Sequence, residues 1–217
     1  MRGHVRKGLL CFLAGLAVGV LCLRPAWGQA PQSTTLQARA DSLAAVGDSL
    51  REERDFAAAR TAYRQARTAY REGGAPERAV AMTGDIGVVY YFEGALQDAR
   101  QVFLRAARRA RAIGAKEEEA DNVNNAGLAE WRLGQYDAAL EHIRDAVDIH
   151  RDLGNRQEVA SGRNNIANIQ EERGQFGEAL ENLRQALRVS RALEDSVGIA
   201  TYLNNMGLVL RSQGQYR

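Results

Sequence analysis

Two adjacent asparagines recur in this chain at a fixed interval of 40 residues. Asn124-Asn125 open the run NNAGLAEWRLGQYDAAL, Asn164-Asn165 open NNIANIQEERGQFGEAL, and Asn204-Asn205 open NNMGLVLRSQGQY. Nothing is inserted between them. An unbroken period of this length constrains the fold more than any local propensity does. Each period is one supersecondary unit that cannot bury its own apolar face, so the units must stack.

Aligned on that period, the chain resolves into columns. Val46, Ile86, Ala126, Ile166 and Met206 form one, and Gly47, Gly87, Gly127, Ala167 and Gly207 the next. Gly94, Gly134, Gly174 and Gly214 form another, with Arg54 in the first unit. Two residues on come Phe56, Leu96, Tyr136, Phe176 and Tyr216. Ala99, Phe103 and Ala106 are spaced by four and three, so they share one helix face, and the triplet recurs as Ala139, Ile143 and Ala146. Small residues beside a large one let two helices approach closely. The Gly87 column falls inside the first helix of each unit, where glycine costs about 1 kcal/mol relative to alanine. A cost repeated in register points to close contact with the partner helix. The Gly134 column falls at a helix end that needs left-handed backbone.

Each unit therefore reads as a first helix, a tight turn at Gly-Gln-Tyr/Phe, and a second helix. Gly73-Gly74-Ala75-Pro76, Gly114 and Gly154 close the first three units, and Glu194-Asp195-Ser196 closes the fourth with good capping residues but no glycine. Only three prolines occur, Pro25, Pro31 and Pro76, so helices of about 16 to 18 residues are permitted almost everywhere. The expected fold is all-α, with four full helix pairs from residue 38 and the first helix of a fifth.

Ile86-Gly87-x-x-Tyr90, followed by Ala99-x-x-x-Phe103, resembles the Leu-Gly-x-x-Tyr and Ala-x-x-x-Phe blocks of tetratricopeptide repeats, in a long 40-residue form. Ala126 and Glu130 replace the Leu and Tyr in the third unit, and Ala167 and Gln170 replace the Gly and Tyr in the fourth. The family's closing proline is absent, replaced by a longer second helix. The resemblance covers residues 38–217. It implies a right-handed superhelical solenoid of antiparallel helix pairs whose first helices line a concave groove, with Asn125, Asn165 and Asn205 pointing into it. In kinesin light chains and spindle-orientation adaptors such a ladder binds the backbone of an extended peptide, since an amide both donates and accepts. Asp85 and Ala45 stand at that position in the second and first units, so the expected ladder runs over three units.

Asn124, Asn164 and Asn204 flank the ladder. One turn further Leu128, Asn168 and Leu208 share the groove, and beyond them lie Trp131, Arg132, Glu171, Glu172 and Arg211. Val88, Tyr91 and Phe92 form an aromatic end. The competing role for the asparagines is to tie neighbouring units together. The partner implied is a protein or peptide.

The first 28 residues are of another kind. Arg2, His4, Arg6 and Lys7 precede an uncharged apolar run over residues 8–23, then Arg24-Pro25 and the small-residue site Ala26-Trp27-Gly28. This is the pattern of a secretory signal peptide cleaved after Gly28. The run of about 16 residues is short of the roughly 20 that span a membrane, which leaves an uncleaved anchor as the alternative. The expected location is exported, periplasmic in a bacterium, with no other membrane association. Residues 29–37 are polar and read as a flexible leader. Both cysteines, Cys11 and Cys22, lie in the signal segment, so the processed chain has no disulfide or thiol chemistry. Processing also removes four basic residues and takes the net charge from +2 to about −2, which gives no support for nucleic-acid binding.

No nucleophile elbow, phosphate loop, paired-histidine zinc motif or dinucleotide fingerprint is present, so neither an enzyme nor a cofactor is expected. His142 and His150 are eight residues apart and recur in no other unit, an unpromising metal pair. Glu117-Glu118-Glu119 and Arg108-Arg109-x-Arg111 flank Gly114, where acidic residues at a helix start and basic ones at a helix end favour the dipole.

Tyr216 is in register to begin a second helix, which predicts an open apolar face around Leu203, Met206, Val209 and Leu210. Two expectations follow: a longer gene product, or end-to-end self-association through that face. Two functional classes fit: an exported interaction scaffold, or the sensory or recruiting arm of a larger protein of the histidine kinase or caspase-like protease type.

Overall fold

The structure, a computed structural model, describes residues 30–214, with side chains from residue 33. Among these residues the chain forms nine helices and no strand. They pair as α1 (Ala30–Glu52) with α2 (Phe56–Glu72), α3 (Pro76–Glu93) with α4 (Leu96–Ile113), α5 (Lys116–Arg132) with α6 (Tyr136–Leu153), and α7 (Arg156–Glu172) with α8 (Phe176–Ala192), leaving α9 (Ser196–Ser212) as the first helix of a fifth unit. Every helix packs on its neighbours in the chain. The first helices also touch one another, α3 on α5, α5 on α7 and α7 on α9, whereas successive second helices make no comparable contact. The first helices are thus the inner row of a solenoid.

Helix α1 starts at Ala30, inside the stretch 29–37 read above as a flexible leader, not at residue 38. Pro31 is compatible with a first turn, where its missing N–H has no intrahelical acceptor to lose. Gln37 Nε2 donates to the Gly73 carbonyl at 2.9 Å and ties this stretch to the turn that closes the first unit. The signal segment over residues 1–28 and the second helix expected from Tyr216 lie outside the described residues.

The turns behave as the columns require. Gly94, Gly134, Gly174 and Gly214 all have φ between 73° and 86°. Where the columns lack glycine, Arg54 and Glu194 adopt φ of 63° and 56° instead. Asp55 and Asp195 cap the helices that follow these two, accepting from the N–H of Ala58 and Gly198. The Gly87 column is a row of contact holes. A Cβ on Gly47 would lie 2.7 Å from the Tyr63 ring, one on Gly87 2.6 Å from Phe103, and one on Gly127 2.6 Å from Ile143. In these three units the large residue of the second helix sits against the bare backbone of its own first helix. Gly207 has no such neighbour within 4 Å.

The core is a chain of small clusters, one per joint. Tyr63, Tyr70, Ile86 and Val89 form the first, and Leu140, Ile143, Ile166 and Ile169 a central one. Leu180, Leu183, Tyr202 and Val209 form the last. Leu203 and Val197 of α9 remain exposed. No helix among the described residues is long and apolar enough to cross a membrane.

Candidate functional site: the groove of the inner helix row

The residues facing the groove follow one geometric rule. A side chain on one first helix meets the side chain 41 positions later on the next. Asn165 Nδ2 donates to Asn124 Oδ1 at 3.4 Å, and Asn205 Nδ2 donates to Asn164 Oδ1 at 2.7 Å. Trp131 Nε1 donates to Glu172 at 3.0 Å, and Ser212 Oγ donates to Glu171 at 2.8 Å. The Arg132 guanidinium lies over the Tyr91 ring, 5.3 Å from its centroid. Repeats of 40 residues meeting at 41 shows that adjacent first helices are offset by one residue.

That rule separates the three ladder asparagines. Asn165 and Asn205 use their amide nitrogens on the preceding unit, whereas Asn204 Nδ2 donates to its chain neighbour Asn205 Oδ1 at 3.4 Å. Asn125 has no such partner, because Gly84 stands where Asn124 and Asn164 stand in later units. Its amide is unbonded among the described residues. It lies instead at the edge of an apolar cleft of about 170 Å³ lined by Val88, Tyr91, Phe92, Phe103 and Leu128. Tyr91 and Phe92 meet edge to face with centroids 5.9 Å apart, and Phe92 is 57% exposed. Asn168 is half-buried one turn beyond Asn165, and Arg211 is exposed near the end of α9. The structure thus brings Asn125 and Tyr91 together at one cleft, with Arg132 stacked beside it. It distributes Asn164, Asn165, Asn168, Asn205 and Glu171 along a cross-linked strip.

One turn before Val88 on α3, Asp85 holds the ladder position of the second unit and is half-buried. Burial pushes its carboxyl up to about 6; the Asp48 charge adds to the rise and Arg51 opposes it. Asp48 itself accepts from Tyr63 Oη at 2.7 Å and pairs with Arg51 at 3.3 Å. The amino-terminal end of the groove is therefore acidic, its middle apolar, and its carboxy-terminal part a polar strip.

Beneath the groove lies a second polar column, in which Glu130 and Gln170 depart from the tyrosine of the repeat pattern. Glu130 is fully buried and accepts from Arg100 Nε at 2.7 Å, with His142 Nδ1 also at 2.7 Å. One unit on, Gln170 donates to Glu178 and accepts from Asn182. In the second unit Tyr90 takes the Arg60 guanidinium over its ring at 4.8 Å. Each joins a first helix to a second. The signal was available: Tyr90, Glu130 and Gln170 share a column, and so do Arg60 and Arg100. His142 and His150 are engaged separately, His150 Nε2 lying 3.3 Å from Asp121. Glu119, read above as part of a helix-start charge run, is buried and bonded by Arg111 Nε at 2.7 Å across the turn at Gly114. No group of three or more metal-ligating side chains converges among the described residues.

The tetratricopeptide repeat profile matches residues 77–152 and 158–217, more than half of the chain. The chain belongs to the tetratricopeptide repeat family. Among solved structures it is similar to BtubC (BKLC) from P. vanneervenii, with a TM-score of 0.70 and 18% identity over 86% of this chain and 85% of that one. The TPR-like repeats of a kinesin light chain from Podosopora anserina match with a TM-score of 0.67 and 16% identity, over 82% and 88% of the two chains. The Rap conjugation gene regulator of plasmid pLS20, solved with the Phr* peptide, matches with a TM-score of 0.68 and 19% identity over 81% of this chain. The chain spans about half the length of that regulator, 51%. These likenesses establish the fold. No curated protein matches the chain by sequence.

Proposed function

We propose that this tetratricopeptide repeat scaffold binds an extended protein or peptide segment in its groove, centred on the cleft between α3 and α5. The observation that carries the reading is the unbonded Asn125 amide at the rim of the Val88, Tyr91, Phe92 and Leu128 cleft. An apolar side chain of the ligand fills the cleft, and Asn125 pairs with the main-chain N–H and C=O beside it. Asp85, one turn away, favours a basic residue next to that anchor. The structural likeness to a regulator solved with a peptide supports this choice of ligand class. The signal-like residues 1–28 place the groove outside the cytoplasm in this reading, and cell fractionation tests that placement.

Selection of a random peptide library on the full chain is the direct test. Enriched peptides are expected to carry an aliphatic or aromatic residue beside Lys or Arg. Their affinity should fall at least about 30-fold for Phe92→Ala, the loss expected of a central aromatic contact. Asn125→Ala should weaken them by a smaller factor. Peptides that bind Phe92→Ala and Asn125→Ala as well as the parent would sink the proposal.

A further inference from the structure

A second cleft, of about 240 Å³, opens between α2, the amino-terminal half of α3, and α4. The groove cleft uses the other half of α3. Arg67 and Arg71 of α2 face Arg105 and Arg109 of α4 across it, with Thr83 of α3 at its side. None of the four guanidinium groups has a carboxylate within ion-pairing distance among the described residues. Thr83 Oγ1 donates to the Ala79 carbonyl, so the free donors in the cleft are guanidinium N–H groups. Burial and the charges of Arg64, Arg71, Arg105 and Arg109 hold the half-buried Arg67 below the usual guanidinium range.

The repeat supplies its own control. Arg67 occupies the column of Ala107, Val147 and Leu187, all of them buried. Arg109 occupies the column of Ala69, Ile149 and Val189. At the next joint the equivalents of Arg67, Thr83 and Ala106 are Ala107, Val123 and Ala146, and they close into an apolar cluster. Only the first joint exchanges an apolar seal for converging cations. Partly burying an unpaired guanidinium among four others opposes folding. The exchange is therefore a poor way to join two units unless an anion completes it. Elsewhere a similarly placed cation is provided for: Arg163 donates to Asn182 at 3.1 Å.

We infer that the Arg67, Arg71, Arg105 and Arg109 cleft is a binding site for a phosphate group carried by a small molecule or a lipid headgroup. The planar guanidinium forks match phosphate oxygens in paired hydrogen bonds, and four of them more than balance the charge of a dianion. The site is independent of the groove reading.

Thermal unfolding of the full chain is measured in phosphate, pyrophosphate and chloride at matched ionic strength, with flotation on vesicles of phosphatidylcholine alone or with phosphatidylglycerol. Phosphate or pyrophosphate should raise Tm saturably, by about 5–11 °C at a hundredfold excess over the dissociation constant. The variant Arg67→Leu with Arg109→Ile installs residues the other units carry at these positions. It should be more stable than the parent in chloride and should lose the phosphate response. Arg105→Gln, which installs the residue found at 65 and 185, should weaken the response several-fold and serves if the double variant does not fold. Flotation with phosphatidylglycerol that the double variant lacks assigns the phosphate to a lipid; a saturable response to free phosphate without flotation assigns it to a soluble ligand. A Tm shift no greater than that of matched chloride together with no flotation overturns the inference, as does a phosphate response that survives in the variants.

Discussion

The two halves of the inner helix row carry the same kinds of residue and use them differently. From α5 to α9 the groove side chains are stitched across the joints, Asn124 to Asn165, Asn164 to Asn205, Trp131 to Glu172 and Glu171 to Ser212. Between α3 and α5 the corresponding asparagine link is missing, because Gly84 removes the acceptor, and an apolar cleft takes its place. An asparagine in this column is thus a structural rivet or a free recognition group according to the residue 41 positions before it. Residue type and register do not decide the role; the neighbour does.

Three changes would break or sharpen that contrast. The largest effect is expected at the glycine column. Gly87→Ala pushes a methyl group against Phe103 in the amino-terminal half and should cost about 1–3 kcal/mol. Gly177→Ala, outside the column on α8, meets nothing within 4 Å and should gain up to about 1 kcal/mol from helix propensity. Urea midpoints at constant m-value measure both, and equal effects would show that the column is not a set of contact holes.

The next effect is the pH response of the acidic end. The folded-state pKa of Asp85, about 6, lies above its ordinary value of 3.8, so folding takes up a proton between the two. The stabilisation is complete below the lower value and is lost as pH rises through about 6. From this group the chain should lose on the order of 1–2 kcal/mol between pH 4 and pH 7, and Asp85→Asn should lack that component. Parallel stability curves for the two proteins would contradict the buried setting of Asp85.

The smallest effect tests the rivets directly. Asn205→Ala removes the 2.7 Å bond to Asn164 and should cost about 1 kcal/mol. Asn125→Ala should stay within about 0.5 kcal/mol of the parent. If Asn125→Ala proves the more damaging of the two, the division of the row is wrong.

Much of the fold was legible in the sequence because the period repeats each constraint. Four glycines in one column announce a left-handed turn, and Ala99, Phe103 and Ala106 announce a packed face. The start of α1 was not legible, since Pro31 and a polar run look the same in a first helical turn as in a loop. The pairing of the asparagines was not legible either. It depends on the one-residue offset between adjacent first helices, which packing sets and which alignment on a 40-residue period conceals. Arg67 was visible as an intruder in an apolar column, but only the structure shows it facing three more arginines. The glutamate run does open α5, as its position implies, but the burial of Glu119 was not legible for a similar reason: it depends on Arg111 reaching across the turn to it.

The stitches also make the solenoid an unequal elastic body. Extending a superhelix slides each first helix along the next. From α5 onward that slide must shear an amide pair and a bond to a carboxylate at each joint. Between α3 and α5 no such side-chain hydrogen bond resists it, only the stacking of Arg132 on Tyr91 and the apolar packing around Val88 and Leu128. Tension along the array should therefore open its pitch first at that joint and widen the Phe92 cleft before any other part of the groove gives way, so that a pull on the molecule is felt as a change in its grip.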